Sequence, residues 1–289
     1  MAARLGGHRQ KRQRLDRLGG DGDADEQCPL ATGLLMRWAW GNISAAEVQN
    51  LAHLAKLSGL NHSEIDFLAG IGTGGTNPNH CSRALYRRYC KGLKLPEPTV
   101  IRLPVVETKS DRMTVSYCDF PLLLPHDWMS SLATNYMEVF EERFGVAELH
   151  TWWAGHNISN PKLWQNPVLD KDNWQHLCVP LLLHGDGAQF QNRDSLVTVS
   201  MKTLLGAGTT VESHMLLAAL PKSITASEKH GRAGDSWSCI WKWLKWSFTC
   251  LFEGKHPSTD PDQQPFEEGS MRWQLQGQPL CPGRQFGLL

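Results

Sequence analysis

At 289 residues and 32.4 kDa the chain can hold one large or two modest domains, with 41% hydrophobic and 20% charged residues as in ordinary globular proteins. Lys plus Arg and Asp plus Glu both number 29, so no global field argues for a nucleic-acid or membrane partner, and any such signal must be local. No apolar run reaches the ~18 residues of a membrane span, which argues against a membrane partner. Eight cysteines occur without a CxxC pair, and the N-terminus lacks the apolar region of a signal peptide. Free thiols in an intracellular protein, nuclear or cytoplasmic and not secreted, are the expectation.

Residues 1–29 read as a disordered charged tail, basic first and acidic after. Arg9, Lys11, Arg12 and Arg14 in its basic half are candidate DNA-backbone contacts, with a solvated terminus as the plain alternative. Residues 30–95 read as a helical module. Ser44 and Glu47 form a capping-box pattern before a stripe of Val48, Leu51, Leu54, Ala55 and Leu57. Helix, turn and helix resembles a DNA-reading pair, but Lys56 is the lone basic residue of the middle helix, so a packing module is the better reading. Gly70-Ile-Gly-Thr-Gly-Gly75 formally matches GxGxxG. It follows a helix and precedes Thr76-Asn-Pro-Asn79, so it reads as a glycine-rich linker and not a dinucleotide site. The next helix carries Arg87 and Arg88, candidate phosphate contacts.

Residues 96–178 predict a hairpin (99–107 with 112–117), a single helix over 127–144, and a tryptophan-rich connection. The spacing of His150 and His156 there fits no standard metal pair. Residues 179–289 carry the main candidate site. A strand over Val179-Pro-Leu-Leu-Leu-His-Gly-Asp-Gly-Ala-Gln-Phe190 delivers Asp186 beside His184, and further strands follow at 195–205 and 214–220. Asp194 heads the second strand. Asp235 caps a helix running to about Phe252, and 284–289 begins a fourth strand. The fold class expected is thus α+β: an N-terminal helical module, then a mixed sheet with helices.

The order β, β, β, α, β resembles the opening of the ribonuclease-H-like fold of nucleases, integrases and transposases. That resemblance implies a catalytic Asp on the first strand, matched here by Asp186, and a second carboxylate near the fourth. Two Mg²⁺ ions about 4 Å apart need shared carboxylates to hold the attacking and leaving oxygens. Asp186, His184 and Asp194 are the candidate metal residues. Asp235 and Glu253 lie at opposite ends of one helix, about 27 Å apart at 1.5 Å per residue, and cannot serve one centre.

The segments Trp38-Ala-Trp-Gly-Asn-Ile-Ser-Ala-Ala-Glu-Val-Gln49, Leu182-Leu-His-Gly-Asp-Gly-Ala188, Ala219-Leu-Pro-Lys-Ser223, Trp243-Leu-Lys-Trp-Ser-Phe248 and Leu251-Phe-Glu-Gly-Lys-His-Pro257 resemble a multicopy family of dinoflagellate genomes. The resemblance spans roughly residues 30 to 280 and identifies kin better than activity. It implies mobile-element derivation and a continuation into a Gly-Asp-Leu-Glu-like segment, so this chain reads as a truncated copy. The functional expectation is a transposase- or nuclease-like protein with little or no catalysis of its own. A non-enzymatic DNA- or protein-binding module is the alternative, and a single-metal hydrolase at His184 and Asp186 a more distant one.

Overall fold

The computed structural model describes residues 28–288 except 110–111, 156–165, 192–193, 206–212, 228, 230–233 and 282–283. The basic residues Arg9, Lys11, Arg12 and Arg14 lie outside the described residues. The chain divides into two compact units, with the boundary between Leu93 and Lys94.

The first unit is helical. Helix α1 (Pro29–Ala39) opens on a proline, whose missing amide is one the first turn cannot use. Helix α2 (Ala45–Leu57) starts at Ser44, whose hydroxyl accepts from the Glu47 amide at 3.1 Å. Helix α3 (Ser63–Gly74) follows, then α4 (Cys81–Leu85) and a wider π turn over 86–90. The buried face of α2 is Ala45, Val48, Gln49 and Ala52, in one core with Ile65, Leu68 and Ala69 of α3. This corrects the expected stripe: Leu51, Leu54 and Leu57 are exposed. Small residues line the buried face, and Gln49 joins them because its Nε2 donates to the Ala69 carbonyl at 2.9 Å.

The glycine-rich stretch is the end of α3, not a free linker. Ile71, Gly72 and Thr73 leave helical geometry. Gly72 has φ +60°, and a Cβ there would lie 2.7 Å from the Asn77 carbonyl oxygen. Only glycine fits so tight a reversal.

The second unit is α+β. Strands β1 (Thr99–Lys109) and β2 (Arg112–Leu122) form an antiparallel hairpin. The helix expected over 127–144 is two, α5 (Pro125–Asn135) and α6 (Met137–Arg143), broken at Tyr136 (φ −143°, ψ 51°). Helices α7 (Leu149–Ala154) and α8 (Trp174–Leu177) lead into β3 (Cys178–Gln191), β4 (Asp194–Thr203) and β5 (Met215–Pro221). Helix α9 (Ser236–Glu253), the short α10 (Met271–Leu275) and β6 (Gln285–Leu288) complete the unit.

The sheet order is β5-β4-β3-β6. Strands β3, β4 and β5 are antiparallel neighbours, whereas β6 runs parallel to β3 and pairs with Cys178 to Leu181. Residues 96–178 and 179–288 share one core: Leu103 and Leu122 of the hairpin, Phe140 and Trp153 of the helices, and Leu181, Met201 and Leu244 are all buried together. Each such side chain stabilises by about 1.5–3 kcal/mol.

Helix α9 is fixed at both ends. Asp235 accepts from the Trp237 amide at 2.8 Å, and Gly254 closes the helix at φ +74°. Buried Ser236 ties its first turn to the hairpin, donating to the Pro104 carbonyl at 2.6 Å and accepting from the Ala226 amide at 2.8 Å. Among the described residues, no helix is long and apolar enough to cross a membrane.

Candidate functional site

Strand β3 changes character along its length. Its first four residues, Cys178 to Leu181, are buried, whereas His184 to Gln189 are exposed. Asp186 therefore sits within the strand, opposite Thr198 of β4, rather than at its end. Side chains alternate across a strand, so Leu181 and Leu183 point to one face and His184 and Asp186 to the other. The apolar face, with Phe286, Trp241, Lys245 and Phe248, lines a cleft of about 720 Å³ against α9. The polar face carries the candidate site.

On that face His184 pairs with Ser200, and Asp186 with Thr198. The structure adds His214, just before β5, whose ring centroid is 5.3 Å from that of His184. Ser200 Oγ lies 3.0 Å from His214 Nδ1, fixing the ring. Burial lowers the His214 pKa, and the neighbouring Lys202 and His184 side chains lower it further. Neither His214 nor Lys202 stands out in the sequence, because only pairing brings them beside His184. Asp186 Oδ1 accepts from the Gly187 amide at 2.7 Å, a local turn-like contact.

Asp194 is not brought to Asp186. It opens β4, four residues before Thr198, about 13 Å away along the strand. Its carboxylate instead accepts from Ser223: Oδ2 from the hydroxyl at 2.5 Å and Oδ1 from the amide at 3.1 Å. Oδ1 also accepts from the Ser195 amide at 2.8 Å. The Ser223 hydroxyl is the main cause of its lowered pKa. Asp194 thus clasps the start of β4 to the end of β5, a structural task.

The fit of this face to divalent metal is poor. Among the described residues no group of three His, Cys, Asp or Glu is placed to hold an ion. A two-Mg²⁺ centre needs at least two carboxylates converging, and among the described residues Asp186 is not joined by a set of donors that could do so. The single-metal arrangement of His184 with Asp186 likewise finds no third donor in that set. Histidines 150 and 176 stack at 4.4 Å between centroids, again as a pair without a third ligand among the described residues.

In the first unit, the Arg88 guanidinium lies over the Phe67 ring at 4.5 Å and over Tyr89 at 5.8 Å, so it anchors the π turn. Arg87 is exposed.

A second polar cluster is buried, and the sequence offers no motif for it. His126 is fully buried. Ser247 Oγ lies 2.7 Å from its Nδ1 and accepts from its amide at 3.1 Å. Arg272, from α10, reaches His126 Nε2 at 3.1 Å, Asp127 Oδ2 at 2.7 Å and Thr99 Oγ1 at 2.9 Å. His256 Nε2 lies 3.1 Å from Ser130 Oγ. Burial holds the His126 pKa well below its usual value, aided by Arg272 and His256, and burial also lowers that of His256. Burial raises the Asp127 pKa, against the pull of Arg272. These groups satisfy one another, and through His256 and Arg272 they pin the chain after α9 to α5 and β1.

Comparison with protein-family models, curated proteins and solved structures finds no match to this chain, so the reading of its function rests on this geometry.

Proposed function

We propose that the second unit contains the opening of a ribonuclease-H-like core of mobile-element, transposase- or nuclease-like ancestry, and that the protein binds nucleic acid with little or no cleavage of its own. One observation carries the reading. The sheet order β5-β4-β3-β6, with three antiparallel strands and then a strand parallel to the first, is the strand arrangement expected of that core, and Asp186 lies on its first strand. Topology supports ancestry; chemistry must be argued from the site. Among the described residues no group of metal donors assembles around Asp186 to hold two ions, which supports binding over catalysis.

The test uses the full chain with supercoiled DNA and labelled oligonucleotides. With Mg²⁺ or Mn²⁺, wild type and Asp186→Ala give the same background cleavage, while wild type binds DNA with a marked salt dependence. Cleavage abolished by Asp186→Ala would restore an active enzyme. No binding at low salt would remove the nucleic-acid reading.

A further inference from the structure

We propose that Lys202, His214 and His184 form a patch that grips backbone phosphates of a nucleic acid on the polar face of the β3-β4-β5 sheet. This inference rests on the nucleic-acid reading above and assigns it contact residues. Three strands build the patch. His184 on β3 pairs directly with Ser200 on β4, Lys202 lies two residues farther along the same face of β4, and His214 leads into β5. The imidazoles approach to 5.3 Å.

Ser200, itself buried, engages His214 Nδ1 at 3.0 Å, so among the described residues Nε2 is the ring nitrogen left for an outside partner. A ring held this way is pre-oriented and gives up little rotamer freedom on binding. Among the described residues, Lys202 and His184 are the basic side chains that act on His214. An anion seated on this face meets the positive charge of Lys202. Lys202 supplies the full charge, and the imidazoles supply N–H donors, so the grip does not depend on protonating a histidine. Asp186 lies two pairs beyond His184 on the same face, opposite Thr198, and makes the face acidic at that end. A polyanion therefore lies toward Lys202 and away from Asp186.

The test measures anisotropy of a fluorescein-labelled oligonucleotide, duplex and single-stranded, with the full chain over a range of salt. Lys202→Glu weakens binding about tenfold or more and lowers the salt slope by about one, as removal of one phosphate contact should. Lys202→Arg keeps wild-type affinity. His214→Gln weakens binding about threefold with the slope unchanged, since it removes a donor and not a charge. Inorganic phosphate shifts the ring resonances of His184 and His214 in wild type and not in Lys202→Glu. Thermal melts report that each variant is folded. If wild type binds and Lys202→Glu binds within twofold of it at the same slope, the patch is overturned while the nucleic-acid reading stands. If wild type binds neither oligonucleotide at low salt, that reading falls and takes the patch with it.

Discussion

The second unit holds two polar clusters built from the same residue types, one buried and one open. Beneath α5, α9 and α10, His126, Asp127, Ser247 and Arg272 bond to one another, and the ring of His126 has no exposure to solvent. On the sheet face, Ser200 and His214 bond to each other, but His184 and Asp186 are exposed. The first cluster meets its own hydrogen-bonding needs, so its chemistry is directed at holding the fold together. The second leaves donors facing outward, so its chemistry is available to a ligand. Residue type alone does not separate the two. Where the remaining lone pairs and protons point does.

The sharpest way to break the comparison is to open the buried cluster. Arg272→Met leaves Asp127 without its guanidinium partner and removes the bonds to His126 and Thr99. A loss of about 2–3 kcal/mol is expected, read as a lower urea midpoint. An unchanged midpoint would show that the cluster contributes nothing to the fold. Oligonucleotide binding by the still-folded fraction remains, because the sheet face is untouched.

Acid provides the next effect. The folded pKa values of His126 and His256 lie below the usual 6.5, with burial the main cause in both. Above about pH 6.5 both are neutral in folded and unfolded states, and their share of stability is fully present. As pH falls below 6.5 the unfolded chain takes up protons first, so stability declines toward the depressed folded values. The slope is at most about 1.4 kcal/mol per pH unit for each group. Asp127 has the opposite sign, since its folded pKa is raised above 3.8; its share is complete at low pH and is lost as pH rises through the folded value. Urea melts at pH 7.5 and 5.5 should therefore show lower stability at 5.5, and His126→Asn should flatten the difference.

Much of the second unit was legible in the sequence and much of its site was not. The strands around 179–190, 195–205 and 214–220 were readable because each is a short apolar or β-branched run, and Asp235 was readable as a cap because its helix follows at once. The break at Tyr136 was hidden, since Trp128, Leu132, Phe140 and Phe144 keep a helical period straight through it. In α2, hydrophobicity pointed to Leu51, Leu54 and Leu57, yet close packing selected alanines and a satisfied glutamine. The partners of His184 were beyond local reading. His214 is thirty residues away and Lys202 eighteen, and only the register of β3 on β4 brings Ser200 opposite His184. Arg272 lies 146 residues from His126, in a loop whose composition reads only as polar.

Two aspartates on the open side of the comparison give the smallest effects and separate structural from available carboxylates. Asp194 makes three bonds to Ser195 and Ser223, so Asp194→Ala should lower the melting midpoint slightly and loosen the end of β5 in hydrogen exchange. Its folded pKa is lowered, chiefly by the Ser223 hydroxyl, so this support is present above about pH 3.8 and fades as pH falls through the folded value.

The Asp186 carboxylate accepts from the amide of its own neighbour, Gly187, and is exposed within the strand. Asp186→Asn keeps the shape and an acceptor for that amide, so stability should change by less than about 0.5 kcal/mol. Removing its negative charge beside the basic patch should instead tighten oligonucleotide binding modestly, about two- to threefold, at low salt. Tighter binding with an unchanged melt marks Asp186 as a group facing the ligand side. A destabilised variant with unchanged binding would make Asp186 structural, like Asp194, and remove the contrast between the two carboxylates.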